Sequence, residues 1–318
     1  MTSYDISGKN ALVTGGGSGI CLAFVELLLN KGCSVIIGDL ALTSKATALT
    51  KEYPYGEKDN NSKKPYVLFH ETDVTSWKDL SSLWTFALST FNNSEIDLVV
   101  PGAGVYEPPF SSFWHPPGVG GSPSRDNDND GYATFDINLV HPIRLAQLAI
   151  GHWTTNKQKG KSLLFVSSIA GHIAAIGTPF YYSSKAGLHS FVKCLAGMRE
   201  KVGIRVMAIA PGVARTPLWE APHLKDQLPE SEHVLPAETV AKMMLDMWQD
   251  EQKYGDAEII EIMEVGTAEE PKSNIREVPM QLLLPQVPIA GHGGILKQEE
   301  KVWNMLATEG LRVTPSDK

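Results

Sequence analysis

The stretch Val13–Phe24, VTGGGSGICLAF, decides how the chain begins to fold. Apolar residues before the glycines are typical of a strand, and those after them are typical of a helix. Glycine lets the backbone adopt positive φ and lets phosphate groups approach closely. The start of the helix offers free N–H groups and the positive end of its dipole. The sequence therefore predicts a strand–turn–helix unit that binds a nucleotide through Gly15, Gly17, Ser18, Gly19 and Ile20.

The alternation of strand and helix continues to residue 265. Further runs rich in Val, Ile and Leu are expected to be strands covered on both faces, and they span 34–40, 66–74, 96–104, 162–171, 203–212 and 257–265. Helical patterns separate them, as in 77–91, where Leu80, Leu83 and Trp84 share one face. Strands alternating with helices predict an α/β fold with a doubly wound, parallel, Rossmann-like sheet.

Three segments depart from this rhythm. Residues 53–65 are polar and rich in turn formers, which predicts an exposed loop. Residues 106–131 mix Pro, Gly and aromatic residues with an acidic run, and we expect a long, partly ordered loop that faces the substrate. Residues 266–318 are expected to be a C-terminal extension with a short helix within 295–307, so that residues 1–265 form the dinucleotide-binding catalytic domain.

Composition excludes several classes of function. The net charge is −8, which argues against nucleic acid and against anionic membranes as partners. Three cysteines do not build a disulfide framework and fit a reducing compartment. No secretory signal or apolar run of roughly 18 residues is present, so a cytoplasmic protein is expected. Metal-ligand spacing is absent among His70, His115, His141, His172 and His189, and no metal is expected.

The second predicted strand ends in Asp39. A carboxylate about 20 positions beyond the glycine turn can accept hydrogen bonds from the adenine ribose hydroxyls and would repel a ribose phosphate. Neither Ser18 nor Leu40 supplies a compensating positive charge. The position favours NAD over NADP, although Asp39 could instead cap a helix that begins in LTSKATAL, residues 42–49.

The strongest chemical signal is SSIAGHIAAIGTPFYYSSKAG, residues 167–187. Tyr181 and Lys185 lie four positions apart on a predicted helix and share a face. A phenol has a pKa near 10, and a nearby ammonium favours the phenolate, which could act as a base. Ser168 follows the preceding strand and can donate a hydrogen bond to a substrate oxygen. Tyr-x-x-x-Lys pairs are common on helices, and spacing alone does not show that these groups meet.

Taken together, these residues resemble the short-chain dehydrogenase/reductases over residues 8–266. The glycine motif corresponds to Thr14-Gly15-x-x-x-Gly19-x-Cys21, and the separation of Ser168 from Tyr181-x-x-x-Lys185 is usual in that family. The resemblance implies reversible hydride transfer between NAD and a secondary alcohol or ketone. It also implies that Tyr181 is the acid and base, that Lys185 lowers its pKa, that Ser168 polarises the carbonyl, and that Asn138 supports a water relay.

The resemblance extends to the remaining cofactor contacts and to assembly. It places the nicotinamide amide on Thr216 and a homodimer or homotetramer around the helix that carries Tyr181. Within the family, the chain is similar to fungal NAD-dependent proteins that resemble hydroxyprostaglandin dehydrogenase. A hydrophobic lipid-, steroid- or polyketide-like substrate is therefore expected near Phe110, Phe113 and Trp114. The other residues implied to bind the cofactor are Asp73, Val74, Gly102, Ala103, Gly104, Tyr181, Lys185, Pro211, Gly212 and Val213.

Two departures from the family pattern affect this interpretation. Cys21 replaces the last glycine of the cofactor turn, either as a small apolar filler or as a reactive thiol at a helix start. Pro101 and Gly102 replace two asparagines that brace the central strands, and Pro101 lacks a backbone donor. The alternatives to an active dehydrogenase are an inactive NAD-binding regulatory protein and a scaffold. Among the histidines, His172 is a candidate for the substrate pocket because it follows Ser168 on a loop.

Overall fold

The centre of the protein is a mostly parallel β-sheet. A computed structural model describes residues 4–56, 64–91, 95–126, 131–279 and 292–313. Within these residues, the parallel strands are β1 (Asn10–Thr14), β2 (Ser34–Asp39), β3 (Val67–Glu71), β4 (Leu98–Pro101), β5 (Lys161–Val166), β6 (Ile204–Pro211) and β9 (Asp256–Glu264). Strand β10 (Ser273–Glu277) runs antiparallel beside β9, and the short strands β7 (Ala214–Arg215) and β8 (Leu235–Pro236) pair separately.

Helices connect these strands and cover both faces of the sheet. They are α1 (Gly19–Asn30), α2 (Ser44–Glu52), α3 (Trp77–Thr90), α4 (Ala133–Phe135), α5 (His141–Thr155), α6 (Pro179–Cys194), α7 (Met198–Val202), α8 (Ala237–Gln249) and α9 (His292–Thr308). A π-helical turn, Asp136–Val140, joins α4 to α5. Single 3₁₀ turns span Ile169–Gly171 and Pro217–Glu220.

The strand order is β10-β9-β6-β5-β4-β1-β2-β3, which confirms the predicted doubly wound Rossmann-like fold. Alternate residues of each strand enter different cores, because successive side chains point to opposite faces. Val13 packs in the core beneath α1 and α8, whereas Leu12 packs in the core beneath α3 and α5. The order reverses between β1 and β4, and this reversal opens a crevice at the carboxyl ends of the strands.

The segment after residue 266 contributes to the sheet and to a core. Strand β10 covers the free edge of β9, with Ile275 opposite Ile262. The chain after α9 crosses α5, where the Leu311 amide donates to Thr154 Oγ1 at 2.9 Å. The helix predicted within 295–307 is confirmed, while sequence analysis missed β10. The boundary at residue 266 stays a prediction.

Two of the predicted loops lie partly outside the described residues. Residues 57–63 of the predicted loop 53–65 and residues 127–130 of the predicted loop 106–131 are not described. The described part of the second loop, residues 106–126, is tied to the rest of the fold. The Thr134 amide donates to Ser111 Oγ at 2.9 Å, and Trp114 Nε1 donates to the Ile176 carbonyl oxygen at 2.8 Å. This segment is therefore positioned beside α6.

Candidate active site

The glycine turn between β1 and α1 permits a close approach of two backbone segments. Gly15 has a φ of +73°, which favours glycine, and a Cβ there would lie 2.7 Å from the Ala103 backbone. A Cβ at Gly17 would lie 2.8 Å from Asp39 Oδ2. Gly15 and Gly17 therefore let the turn pack closely against Ala103 and Asp39. The turn and the N-terminus of α1 together form a cradle that fits the pyrophosphate of a dinucleotide.

A crevice of about 410 Å³ opens above this turn. Most of the predicted cofactor residues line it, and these are Gly15, Ser18, Gly19, Ile20, Asp39, Asp73, Val74, Gly102, Ala103, Gly104 and Thr216. The other predicted cofactor residues are not part of this lining, and these are Gly17, Tyr181, Lys185, Pro211, Gly212 and Val213. Sequence analysis missed further lining residues, including Leu40, Thr72, Ile137, Val166 and Leu218.

Asp39 lies at the carboxyl end of β2, on the wall of the crevice. Its Oδ2 accepts from the Gly17 amide at 2.9 Å, and its Oδ1 accepts from the Leu40 amide at 2.8 Å. Thr43, rather than Asp39, caps α2, because its side chain accepts from the Ala46 amide. The alternative capping role of Asp39 is therefore wrong. None of the described residues that line the crevice is Lys or Arg.

Cys21 fills the space beside a glycine of the neighbouring strand. It is buried in α1, and a Cβ on Gly102 would overlap its Sγ atom. Burial raises the pKa of the Cys21 thiol to about 12, with a further rise from the Asp39 charge and a smaller opposing effect of Lys185. The thiol is thus protonated at neutral pH, which favours the packing interpretation over a reactive thiol. The Cys21 Sγ atom occupies the space that a side chain at position 102 would need, so the two residues have complementary volumes.

A buried pair, Thr14 and His141, links the central strands to α5. Thr14 Oγ1 accepts from the Gly102 amide at 3.0 Å and lies 3.0 Å from His141 Nε2. Burial lowers the pKa of His141 to about 4, so the ring is neutral. With the proton assigned to Nδ1, which lies 3.0 Å from the Ile137 carbonyl oxygen, Nε2 accepts from the Thr14 hydroxyl. This pair braces the strands where the family asparagines are absent.

Asn138 lies in the π-helical turn and fastens the chain after β4 to α6. Its Nδ2 donates to the Val105 carbonyl oxygen at 2.9 Å, and its Oδ1 accepts from the Val105 amide at 2.9 Å. The same Nδ2 lies 3.3 Å from Ser184 Oγ on α6. A π-helical turn commonly marks a functional site. Asn138 also borders Gly104, which lies near the Lys185 ammonium.

Ser168, Tyr181 and Lys185 lie together beside the crevice wall. Ser168 follows β5, and Tyr181 and Lys185 share a face of α6, with Lys185 Nζ 5.8 Å from the centre of the Tyr181 ring. Lys185 Nζ donates to the carbonyl oxygen of Val166, a residue of the crevice wall. The structure thus brings together the three side chains that the sequence predicted as candidate catalytic residues.

Burial dominates the electrostatics of Tyr181 and Lys185. It raises the pKa of Tyr181 to about 12; a side-chain hydrogen bond with Ser168 opposes this rise, and Tyr106 and Tyr182 add to it. It lowers the pKa of Lys185 to about 8, against a small opposing effect of Cys21. Lys185 does not contribute to the change in the pKa of Tyr181 in this structure. Tyr181 is therefore a proton donor at neutral pH in this structure, and its activation by Lys185 stays a prediction.

Aromatic side chains surround Tyr181. The ring of Tyr106 lies 4.6 Å from that of Tyr181 and 5.4 Å from that of Trp219, as measured between ring centres. Farther out, Phe113 contacts Phe180 at 5.7 Å. Tyr106 was missed by sequence analysis as a site residue, although it lies two positions after the GAG motif, residues 102–104. These contacts give the site an aromatic wall made by the loop before α4 and the 3₁₀ turn after Thr216.

His172 lies next to the sheet rather than in the crevice. Its Nε2 pairs with Glu261, a buried residue of β9 that also pairs with Arg276 of β10, and its ring stacks on His189 at 5.7 Å. The predicted place of His172 in a substrate pocket therefore has no support from the crevice lining. Among the described residues, no group of His, Cys, Asp or Glu side chains is arranged to hold a metal ion. In the same part of the chain, no helix is both long and apolar enough to cross a bilayer.

Known proteins resemble this chain in both sequence and fold. L-Fucose dehydrogenase of Mus musculus is 30% identical over 220 residues, which cover 69% of this chain and 70% of the relative. NAD⁺-dependent 15-hydroxyprostaglandin dehydrogenase of Rattus norvegicus is 29% identical over 68% of this chain and 72% of its own length. A 3-ketoacyl-(acyl-carrier-protein) reductase from Brucella melitensis, solved with NADH, has a TM-score of 0.64 at 21% identity and covers 81% of this chain and 98% of its own.

The family model described as short chain dehydrogenase matches residues 9–226 of the 318 residues. The predicted similarity to fungal members stays a prediction, as do the homodimer or homotetramer and the cytoplasmic location. The match spans more than half of this chain and includes Ser168, Tyr181 and Lys185, so the chain belongs to the short chain dehydrogenase family.

Proposed function

We propose that this protein transfers a hydride reversibly between NAD and a secondary alcohol or ketone. The observation that carries the proposal is the juxtaposition of Ser168, Tyr181 and Lys185 beside a crevice whose walls fit a dinucleotide, which Lys185 reaches through its hydrogen bond to Val166. Family membership supports the oxidoreductase class, and the geometry supports the roles of the individual side chains.

NAD is the cofactor that the crevice fits best. The glycine turn would hold the pyrophosphate, Asp39 would accept from the adenine ribose hydroxyls, and Thr216 would hold the nicotinamide amide. The described lining contains no cation that would pair with the additional phosphate of NADP. When bound, NAD supplies the acceptor for the hydride of an alcohol, and its reduced form supplies the hydride for a ketone.

Protons at the substrate oxygen are handled by residues of this chain. In ketone reduction, the Tyr181 phenol gives its proton to the oxygen as the carbonyl carbon gains the hydride. In alcohol oxidation, the same oxygen returns its proton to the Tyr181 phenolate. The Ser168 hydroxyl donates a hydrogen bond to the substrate oxygen and stabilises the charge that develops there. Lys185 and Asn138 border Gly104 together, in positions that suit transfer of the proton from Tyr181 towards solvent.

A hydrophobic substrate agrees with the aromatic wall around Tyr181. Tyr106 contacts both Tyr181 and Trp219, and Phe113 and Trp114 pack against each other farther out. The exposed fractions of Phe113 and Trp114 are 52% and 51%, so both rings are available to a ligand. A lipid-, steroid- or polyketide-like alcohol would bury these rings, and burial of apolar area favours binding by about 25 cal/mol per Å².

The test compares two adjacent tyrosines. Tyr181→Phe should lose about 100- to 10,000-fold in turnover, the usual contribution of an acid–base group. Tyr182→Phe is the matched control, because it removes the hydroxyl of a neighbouring tyrosine whose ring centre lies 5.9 Å from that of Tyr181. Its turnover should stay within about tenfold of that of the unmutated protein.

Turnover of both variants is measured on one accepted alcohol or ketone by NADH fluorescence, with thermal melts to exclude misfolding. Normal turnover in Tyr181→Phe would refute the proposed chemistry. Absence of turnover in the unmutated protein, despite NADH binding and a broad screen of hydrophobic substrates, would favour the inactive NAD-binding regulatory protein.

A further inference from the structure

Glu107 carries a buried carboxylate that the proposed chemistry does not use. The residue is 4% exposed and lies directly after Tyr106. No Lys, Arg or His of the described residues forms an ion pair with it. A carboxylate is costly to bury without a counter-charge unless hydrogen-bond donors surround it. The hydrogen-bond donors to the Glu107 carboxylate therefore show which segments of the chain this side chain holds in place.

Three donors from two separate segments converge on Glu107. Its Oε1 accepts from Ser112 Oγ and from the Phe113 amide, each at 3.0 Å. Its Oε2 accepts from the backbone amide of Tyr181, also at 3.0 Å. One carboxylate thus joins the segment that carries Phe113 to the first turn of α6.

The first turn of α6 has no local side-chain cap. Its N-cap residue Thr178 makes no side-chain hydrogen bond to the helix, and Pro179 has no N–H group. The Tyr181 amide belongs to the first turn, where amides find no partner within the helix. The positive end of the helix dipole favours an anion at this position. Glu107, which is 74 positions away in the sequence, supplies it.

The backbone at Glu107 is held in an unusual conformation. Its φ is +35°, a value that residues other than glycine seldom adopt and that persists only when the surroundings impose it. This conformation directs the Glu107 carboxylate towards α6 while the preceding ring, Tyr106, contacts Tyr181. Two successive residues therefore contact the first turn of α6, one through its carboxylate and the other through its ring.

We propose that Glu107 is a positioning residue, which caps α6 from a distance and thereby fixes the Tyr181 phenol relative to Ser168. Through Oε1, Glu107 also fixes the segment at Phe113. One side chain thus holds both the expected substrate loop and the acid–base group. The proposal rests on the proposed function, because it is the position of Tyr181 during turnover that Glu107 controls.

The experiment compares Glu107→Ala and Glu107→Gln with the control Asp126→Asn. Asp126 is also a buried carboxylate of the same loop, 5% exposed, and accepts from a helix amide, that of Ala133 at 3.0 Å, but it caps α4 rather than α6. For each variant, kcat is calculated as the maximal rate divided by the concentration of NADH-binding sites, which is found by titration. This normalisation removes the effect of misfolded protein, which a purely structural role would produce.

We expect Glu107→Ala to lower kcat per NADH-binding site by about tenfold and Glu107→Gln to lower it less, because one amide oxygen can still accept from the Tyr181 N–H. Asp126→Asn should stay within about twofold of the unmutated protein. An unchanged kcat per site in Glu107→Ala would overturn the positioning role while leaving the proposed function intact.

Amide hydrogen exchange of the first turn of α6 gives a readout that does not depend on activity. Exchange at Tyr181 should be about tenfold faster in Glu107→Ala and unchanged in Asp126→Asn. Equal exchange at Tyr181 in all proteins would overturn the inference. If the unmutated protein turns over no alcohol or ketone, the proposed function fails, and exchange alone then decides whether Glu107 holds α6.

Discussion

The complementary volumes of Cys21 and Gly102 make a quantitative prediction for the double variant. A Cβ on Gly102 would overlap Cys21 Sγ and would also lie 2.9 Å from the Thr14 carbonyl oxygen. Gly102→Ala therefore meets two obstacles, one a side chain and the other backbone. Cys21→Ala removes the first obstacle and leaves the second, so it should rescue Gly102→Ala in part.

The expected energies follow from the two contacts. Overpacking a core costs about 1–3 kcal/mol, and with both obstacles present we expect Gly102→Ala to destabilise the fold by about 3 kcal/mol. In the Cys21→Ala background, where only the Thr14 contact remains, the same change should cost about 1 kcal/mol. The resulting coupling of about 2 kcal/mol lies within the range typical of residues in contact.

Urea unfolding of the four proteins gives the free energies, and NADH titration gives the cofactor affinities. Cys21→Ala alone should keep the NADH affinity within about tenfold, or about 1.4 kcal/mol, because backbone amides rather than the thiol face the phosphates. If Gly102→Ala costs the same with and without the Cys21 thiol, the two residues are energetically independent and the packing argument is wrong.

Two further predictions concern charged groups. The unmutated protein should bind NADH more tightly than NADPH, and Asp39→Ala should narrow the difference by about tenfold in calorimetric titrations; equal affinities in the unmutated protein would contradict the role of Asp39. Burial lowers the pKa of Lys185 from 10.5 to about 8, so only the unfolded chain keeps this proton between these values. The contribution of Lys185 to stability should therefore rise with pH across this window by about 3 kcal/mol, while the buried Cys21 thiol, whose pKa is raised from 9.0 to about 12, contributes in the opposite direction above pH 9. Lys185→Met should remove this contribution, so the change in unfolding free energy between pH 7 and pH 10, measured in urea, should differ between the two proteins by about 3 kcal/mol. An identical pH dependence in both proteins would show that this ammonium carries no burial penalty.

Local patterns were sufficient to predict the fold and much of the site. The alternation of Val- and Ile-rich runs with helical spacing predicted the parallel sheet, because a strand covered on both faces needs apolar residues throughout. Glycines between a strand and a helix predicted the cradle, since a side chain there would collide with Ala103. The spacing of Tyr181 and Lys185 predicted that both lie on one helix face, because residues four apart share a face. The structure places Lys185 Nζ 5.8 Å from the centre of the Tyr181 ring.

Contacts between distant segments had no such pattern. Glu107 lies in a Pro-rich stretch that is typical of a loop, and nothing in its neighbours indicates that it meets an amide 74 positions away. The local sequence likewise does not indicate the contact between His141 and Thr14, because Thr14 lies on β1, 127 positions away. Strand β10 is polar and mostly exposed, so neither alternation nor an apolar run marked it. Each of these features depends on the completed fold and not on the local sequence.

The protonation states of Tyr181 and Lys185 show most clearly which features the local sequence predicts and which depend on the completed fold. The sequence placed Tyr181 and Lys185 on one helix face, from which an ammonium that favours the phenolate and lowers the pKa of Tyr181 was expected. In the structure, one buried environment acts on both groups, and desolvation disfavours the charged form of each. The pKa of Tyr181 therefore rises to about 12 while that of Lys185 falls to about 8. Spacing on a helix places Tyr181 and Lys185 on one face, whereas burial in the completed fold determines which of them carries a proton.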